Sequence, residues 1–196
     1  MSHYYSSKQE SPLDLKKIDV VLRGKSFSFF TGSGVFSKDK VDYGTQVLAE
    51  YMQISNTDTV LDLGCGIGII GRVANTLTKK KIVLVDVNER AVALAKMNTK
   101  DLENVLVLVS DAYQKLKEDK FNVILLNPPQ SAGKKLCFQM IVDGKEHLLS
   151  DGSIQVVARH NKGGETLSHY MKGVYGNVET LCRKGGYRVY KSVFRE

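Results

Sequence analysis

Short apolar runs punctuate the chain at residues 60–63, 82–85, 105–109, 121–126 and 153–158. Each is rich in Val, Ile and Leu, as strands buried on both faces are. Between them lie stretches with helical spacing, at 69–77, 89–98, 135–149 and 163–171. The third carries Leu136, Met140, Ile141 and Leu148 on one face. Ahead of this alternation, residues 18–23 and 25–30 read as two strands around Gly24, with Phe27 and Phe29 alternating with Ser26 and Ser28. A helix over 42–54 follows, carrying Val47, Leu48, Tyr51 and Ile54, with Asp42 as its N-cap. Two last strands, 178–182 and 187–194, are split by Lys184-Gly185-Gly186.

Strands alternating with helices predict an α/β, Rossmann-like, doubly wound fold with a mostly parallel sheet. Residues 1–16 read as a loose polar tail, 17–54 as an N-terminal hairpin and helix, and 55–196 as the core of one domain. In such sheets ligands bind beyond the carboxyl ends of the strands. Asp62, Asp86, Asp111 and Asn127 all fall there, each closing an apolar run. One such residue alone is most often a cap or a loop residue. Four together favour a ligand site.

The most informative stretch is 58–71, where a short strand runs through Asp62-Leu63-Gly64-Cys65-Gly66-Ile67-Gly68 into a helix. Glycine lets the backbone turn tightly and approach a ligand. Free N–H groups at the helix start face whatever sits there. Two ligand classes suit this corner. Gly66-x-Gly68-x-x-Gly71, with Asp86 about 20 residues on, fits the dinucleotide fingerprint. Asp62, just before the first glycine, would repel a pyrophosphate but suits the ammonium of S-adenosylmethionine. Asp86 would accept hydrogen bonds from two ribose hydroxyls in either case. Asp111 suits the exocyclic amine of adenine. The loop at 31–40, also Gly-bearing, lacks a following Gly-Lys-Ser/Thr and reads as a hairpin end.

Asn127-Pro128-Pro129-Gln130 separates the two classes. The prolines fix the chain and leave the Pro128 carbonyl facing outward. That carbonyl and the Asn127 side-chain oxygen match the two hydrogens of a planar conjugated amine. Holding both would draw the nitrogen lone pair out of conjugation and aim it at a methyl sulfonium. The gain is positioning plus stabilisation of charge growing on nitrogen. A Pro-Pro loop that merely ends a strand is the plainer alternative.

Here the chain resembles the class I S-adenosylmethionine-dependent methyltransferases, in the small-methyltransferase-domain group. It is most similar to the small-subunit ribosomal RNA guanine-N2 enzymes and their single-domain archaeal relatives. The resemblance covers residues 17–196. It rests on Gly34-Val35-Phe36-Ser37 with Asp42-x-Gly44, the Asp62–Gly68 loop, Val85-Asp86-Val87, Asn127-Pro128-Pro129 and Gly186-Tyr187-Arg188-Val189-Tyr190. It implies a seven-stranded sheet with a reversed last strand. It implies cofactor contacts at Asp62, Gly64, Cys65, Gly66, Gly68, Asp86, Val87, Asp111, Ala112 and Asn127. Asn127, Pro128 and Pro129 would form the catalytic loop, with Phe36 and Lys38 over the substrate mouth. Many amine methyltransferases carry a base-stacking aromatic where this chain has Gln130, so stacking would come from elsewhere, such as Phe36. The bacterial ribosomal enzymes also carry an extra N-terminal docking domain, for which no counterpart is expected here.

Net charge of +7 adds a polyanionic partner to this picture, RNA and most readily ribosomal RNA. Lys134 and Lys135, at a helix start where cations oppose the dipole, are candidate phosphate contacts beside Gln130. Lys184 and Arg188, flanking the final turn with Arg183, are candidates too. Lys79-Lys80-Lys81 precedes a strand, at the far end of the sheet, and reads as a solvated face. Cys65, Cys137 and Cys182 lack metal spacing and read as reduced cytoplasmic thiols. His3, His147, His160 and His169 are scattered and suit surface or capping roles. The polar first 16 residues read as no signal peptide, and no apolar run reaches a membrane-spanning length. The expected activity is methylation of an exocyclic amine, with guanine N2 ahead of adenine N6 or a protein glutamine. A non-catalytic RNA-binding adaptor and a nicotinamide-dependent dehydrogenase are the competing classes.

Overall fold

The computed structural model describes residues 14–35, 39–129 and 133–196. The chain opens with a hairpin, β1 (Lys16–Leu22) and β2 (Lys25–Thr31). Arg23 and Gly24, both at positive φ, make its two-residue turn. Helix α1 (Tyr43–Tyr51) follows, its first turn capped by Asp42, which accepts from the Thr45 N–H. The core then runs β3 (Val60–Leu63), α2 (Ile69–Ala74), β4 (Ile82–Asp86), α3 (Glu89–Thr99), β5 (Val105–Val109) and β6 (Phe121–Leu126). It continues through α4 (Lys134–Asp143), β7 (Leu148–Arg159), α5 (Gly164–Tyr175), β8 (Glu179–Lys184) and β9 (Tyr187–Val193).

Seven strands form one sheet in the order β5-β4-β3-β6-β7-β9-β8. β3 pairs in parallel with both β4 and β6, β4 with β5, and β6 with β7. β9 is antiparallel to both neighbours, so the last strand of the chain is the reversed one and β8 runs with the rest. The strand order changes direction between β3 and β6. That crevice is where a doubly wound sheet opens a ligand site.

The sheet is apolar on both faces. Val60, Leu84, Val123 and Leu125 pack under α1, α2 and α3, with Leu48, Ile70, Val73 and Leu94. Leu61, Leu63, Val85 and Leu126 pack on the other face under α4 and α5, with Ile141, Leu167 and Met171. Period-2 alternation along each strand divides the two sets. Gly71 lets α2 close on β4: a Cβ there would lie 2.6 Å from a Leu84 methyl. Among the described residues no helix is long and apolar enough to cross a membrane.

Several bounds differ from the pattern-based expectation. The helix expected over 135–149 ends at Asp143; Gly144–His147 is a 3-10 turn and Leu148 already begins β7. Leu136 is not on the buried face of α4, which Cys137, Met140 and Ile141 supply. α2 stops at Ala74 rather than residue 77, and α5 extends to Tyr175.

Candidate active site

A cavity of about 520 Å³ opens at the carboxyl ends of β3, β4, β5 and β6. That is within the roughly 300–1,000 Å³ of small-molecule sites. Its lining combines the glycine loop (Gly64, Cys65, Gly66), Asp86 and Val87, Asp111 and Ala112, and Asn127, Pro128 and Pro129. Four strand ends thus converge on one space.

The loop is shaped for a ligand. Gly64, Gly66 and Gly68 all have positive φ, which admits glycine without strain. A side chain at Gly64 would meet no protein atom within 4 Å, so the loop leaves that side open to the cavity. Asp86 braces the loop from the next strand: one carboxylate oxygen accepts the Gly66 N–H at 2.8 Å, the other the Asn88 N–H at 2.9 Å. Burial pushes its pKa up, while the N–H groups of Asn88, Gly66 and Val87 pull it back down. The carboxylate keeps acceptor capacity for a further donor. Open glycine backbone, a braced carboxylate and apolar walls suit a nucleoside with a polar tail, so the residues fit S-adenosylmethionine. Among the described residues no cluster of His, Cys, Asp and Glu could hold a metal ion.

Two residues expected at the ligand lie behind it. Asp62 is buried, does not line the cavity, and accepts the Gly71 N–H at 2.9 Å. Strand alternation turns its side chain to the α2 face, so it anchors the helix start. Gly68 caps α2 and packs on Ala95, with a would-be Cβ 3.2 Å from the Ala95 Cβ. Burial raises the Asp62 carboxyl to about 7, against the Gly71 hydrogen bond that lowers it, with Asp86 adding a further push upward. An acid whose folded pKa exceeds its unfolded value of about 3.9 stabilises the fold fully below that value and loses this as pH rises through 7. The cofactor-free Asp62→Asn variant should therefore gain on the wild type as pH rises from 5 to 8, its relative melting temperature climbing by a few degrees. Identical pH profiles for the two by calorimetry would contradict this reading of Asp62.

Asn127 has unanticipated company. Its amide nitrogen donates to Thr45 Oγ1 at 3.0 Å and to Asp42 Oδ1 at 3.4 Å, both on the first turn of α1. The Thr45 hydroxyl in turn donates to Asp42 Oδ2. Asp42, Thr45 and Tyr187 line the cavity as well. Tyr187 stands at the start of β9, braced edge-on by Tyr43 with ring centroids 5.6 Å apart. Asp42 and Tyr187 belong to stretches that carry the family resemblance, but the sequence gives Asp42 only the role of an N-cap and gives neither Tyr187 nor Thr45 a place in the site. Leu136 and Met140 close the α4 side.

Phe36, Lys38 and Gln130 lie outside the described residues. Lys134 and Lys135 are exposed at the start of α4 and do not line the cavity. Lys184 and Arg188 are also outside its wall, but they flank Tyr187, opposite which Lys184 pairs. Cys65 lines the cavity with burial holding its thiol well above the usual range, so it stays neutral. His147 stacks on Tyr113 and His160 bonds Tyr190, both outside the cavity wall.

The chain matches the family model for the methyltransferase small domain over residues 26–191. It is 33% identical over 195 residues to the uncharacterized protein YbxB of Bacillus subtilis (strain 168), covering 97% of each chain. It is 32% identical over 173 residues to ribosomal RNA large subunit methyltransferase G of Shewanella denitrificans, covering 82% of this chain and 44% of that protein. In structure it is similar to the T. thermophilus 16S rRNA N2 G methyltransferase RsmC in complex with AdoMet and guanosine. The TM-score is 0.80 at 22% identity, over 96% of this chain and 52% of that one. The chain thus spans about half the length of that structure and less than half of the methyltransferase G protein. Sheet order, glycine loop and family match agree: the chain belongs to the methyltransferase small domain family and is an S-adenosylmethionine-dependent methyltransferase.

Proposed function

We propose that the protein methylates an exocyclic amine of RNA, guanine N2 in ribosomal RNA before any other. The observation that carries this is Asn127. It shares one cavity with the glycine loop and Asp86, and its amide nitrogen is already engaged by Thr45 and Asp42. Its Oδ1 is therefore the end left for a substrate. S-adenosylmethionine, when bound, supplies the electrophilic methyl group. Asn127 Oδ1 and the Pro128 carbonyl accept the two amine hydrogens and turn the nitrogen lone pair outward. No base is needed before attack, because the proton can leave afterwards. Asp86 and the open loop at Gly64 and Gly66 would hold the cofactor, Asp111 and Ala112 would flank its base, and Cys65 and Val87 would fill the wall between. Tyr187 supplies the aromatic face that Gln130 does not.

RNA is supported by the charge and by the relatives. Methyltransferase G is named for ribosomal RNA, and RsmC was captured with guanosine. Arg183 and Arg188 stand directly opposite each other across β8 and β9, and Arg159 stands opposite Tyr187. Like charges at such positions repel unless an anion lies between. None of these cations is in an ion pair among the described residues, whereas Lys81 pairs with Asp119 at 2.9 Å at the opposite end of the sheet.

Methylation of in-vitro-transcribed ribosomal RNA with labelled cofactor, followed by nucleoside analysis, should yield N2-methylguanosine. A label on N6-methyladenosine would move the target to adenine. A label on carbon or a ribose oxygen would end the proposal. Neutralising Lys184 or Arg188 should flatten the salt dependence of RNA affinity by about one unit of slope each. Lys79→Ala should leave that slope unchanged. Equal effects from the two ends of the sheet would remove the docking face from the proposal.

A further inference from the structure

We infer that Asp42 and Thr45 are positioning residues that lock the Asn127 amide with its oxygen toward the reacting amine. The inference rests on the amine-orienting reading of Asn127. An asparagine side chain has two nearly isosteric ends, one a donor and one an acceptor. Turned over, Asn127 would offer N–H groups to the substrate and repel an amine. The hydrogen bonds of α1 break this symmetry. Asp42 as a carboxylate only accepts. The Thr45 hydroxyl gives its single proton to Asp42 Oδ2, so toward Asn127 it only accepts as well. Asn127 therefore points Nδ2 at both, at 3.0 and 3.4 Å. Donation toward an anion also polarises the amide, which makes Oδ1 a stronger acceptor as positive charge grows on the substrate nitrogen.

The packing is arranged for this contact. Gly44 sits between the partners: a Cβ there would lie 3.1 Å from Asp42 Oδ1, 3.2 Å from Tyr187 Cε1 and 3.4 Å from Asn127 Oδ1. A side chain there would crowd the first turn of α1 against the end of β6, which glycine leaves close. Asn127 and Tyr187 both line the cavity beside this contact.

The test uses conservative replacements. Asp42→Asn keeps an N-cap of equal quality, so α1 should remain intact. It can present either end to Asn127, so the bias is lost. Thr45→Val keeps the shape and removes the hydroxyl, while Thr45→Ser restores it. With S-adenosylhomocysteine bound, the Asn127 side-chain NH2 signals of 15N-asparagine-labelled protein should exchange slowly with water. Exchange should quicken in Asp42→Asn and Thr45→Val and recover in Thr45→Ser. Single-turnover methylation of ribosomal RNA transcripts should fall on the order of tenfold in the first two variants, with S-adenosylhomocysteine affinity and melting temperature unchanged. Added to Asn127→Ala, Thr45→Val should cost nothing more, since its effect passes through Asn127. Full turnover in Asp42→Asn and Thr45→Val beside an inactive Asn127→Ala would overturn the lock alone. Full turnover in Asn127→Ala would overturn the lock together with the reading beneath it. If no transcript is methylated by the wild type, the RNA reading fails, and fast exchange of the wild-type amide would then overturn the lock independently.

Discussion

The Asn127→Ala enzyme should fold, bind S-adenosylhomocysteine almost as well as the wild type, and transfer methyl 10²–10³-fold more slowly, roughly the effect of deleting one preorganised electrostatic partner. The separation follows from where the residue sits. Asn127 follows the last residue of β6 and is half-buried, so its side chain supports no core contact that the fold needs. Cofactor affinity draws instead on the glycine loop after the neighbouring strand β3 and on Asp86, two strands away on β4. The amide acts only when nitrogen begins to carry charge, which is why the loss belongs in turnover rather than in binding. Truncation also strands the Thr45 hydroxyl and Asp42, both of which still reach the water-accessible cavity. That costs little stability. Measured in parallel, single-turnover rate, calorimetric affinity and melting temperature decide the matter. A near-wild-type rate would refute the mechanism, and a collapse of cofactor affinity would move Asn127 from chemistry to binding.

Much of this was legible in residues read one stretch at a time. The runs at 60–63, 82–85, 105–109 and 121–126 are β3 to β6 because strands buried on both faces have little choice but Val, Ile and Leu. The convergence of Asp86, Asp111 and Asn127 followed from alternation alone, since parallel strands bring their carboxyl ends together. Three things were not legible. Leu148 continues the helical spacing of α4 and so looked helical. Gly144 packs against the Tyr113 and Tyr175 hydroxyls, where a Cβ would lie 3.0 and 3.1 Å away, and the helix gives way to a 3-10 turn there. Asp62 looks like Asp86 in the sequence, but it lies inside β3 in register with Leu84 and Leu125, two residues short of the strand end that Asp86 occupies on β4. Only the pairing register tells a residue that faces the ligand from one that holds the loop from behind. Asp42 and Thr45 meet Asn127 across 85 and 82 residues of chain. Their local role, capping a helix, already accounts for them and hides the second one.

Asp86→Ala should lose cofactor affinity on the order of 100-fold, more than any other single change in the cavity. Two effects add. Direct acceptors for the ligand disappear, and charge-assisted hydrogen bonds are worth roughly 1.5–3 kcal/mol. The loop also loses its brace. The Gly66 and Asn88 N–H groups, now bonded to the two carboxylate oxygens at 2.8 and 2.9 Å, would be left without those partners beside a cavity. Gly66 at positive φ would then be free to leave the shape that admits the ligand. Asp86→Asn separates the two contributions. Its oxygen can still accept one backbone N–H, but its NH2 cannot accept the other, and the charge is gone. It should fall between the wild type and Asp86→Ala in S-adenosylhomocysteine affinity, with a melting temperature nearer the wild type. Because burial raises the Asp86 carboxyl, acid should imitate the substitution: affinity should drop over the pH range around that raised pKa. Calorimetric titrations of S-adenosylhomocysteine across that range would show the drop in the wild type and none in Asp86→Asn. A wild-type affinity independent of pH, or an Asp86→Ala affinity equal to it, would take the cofactor's anchor away from this residue.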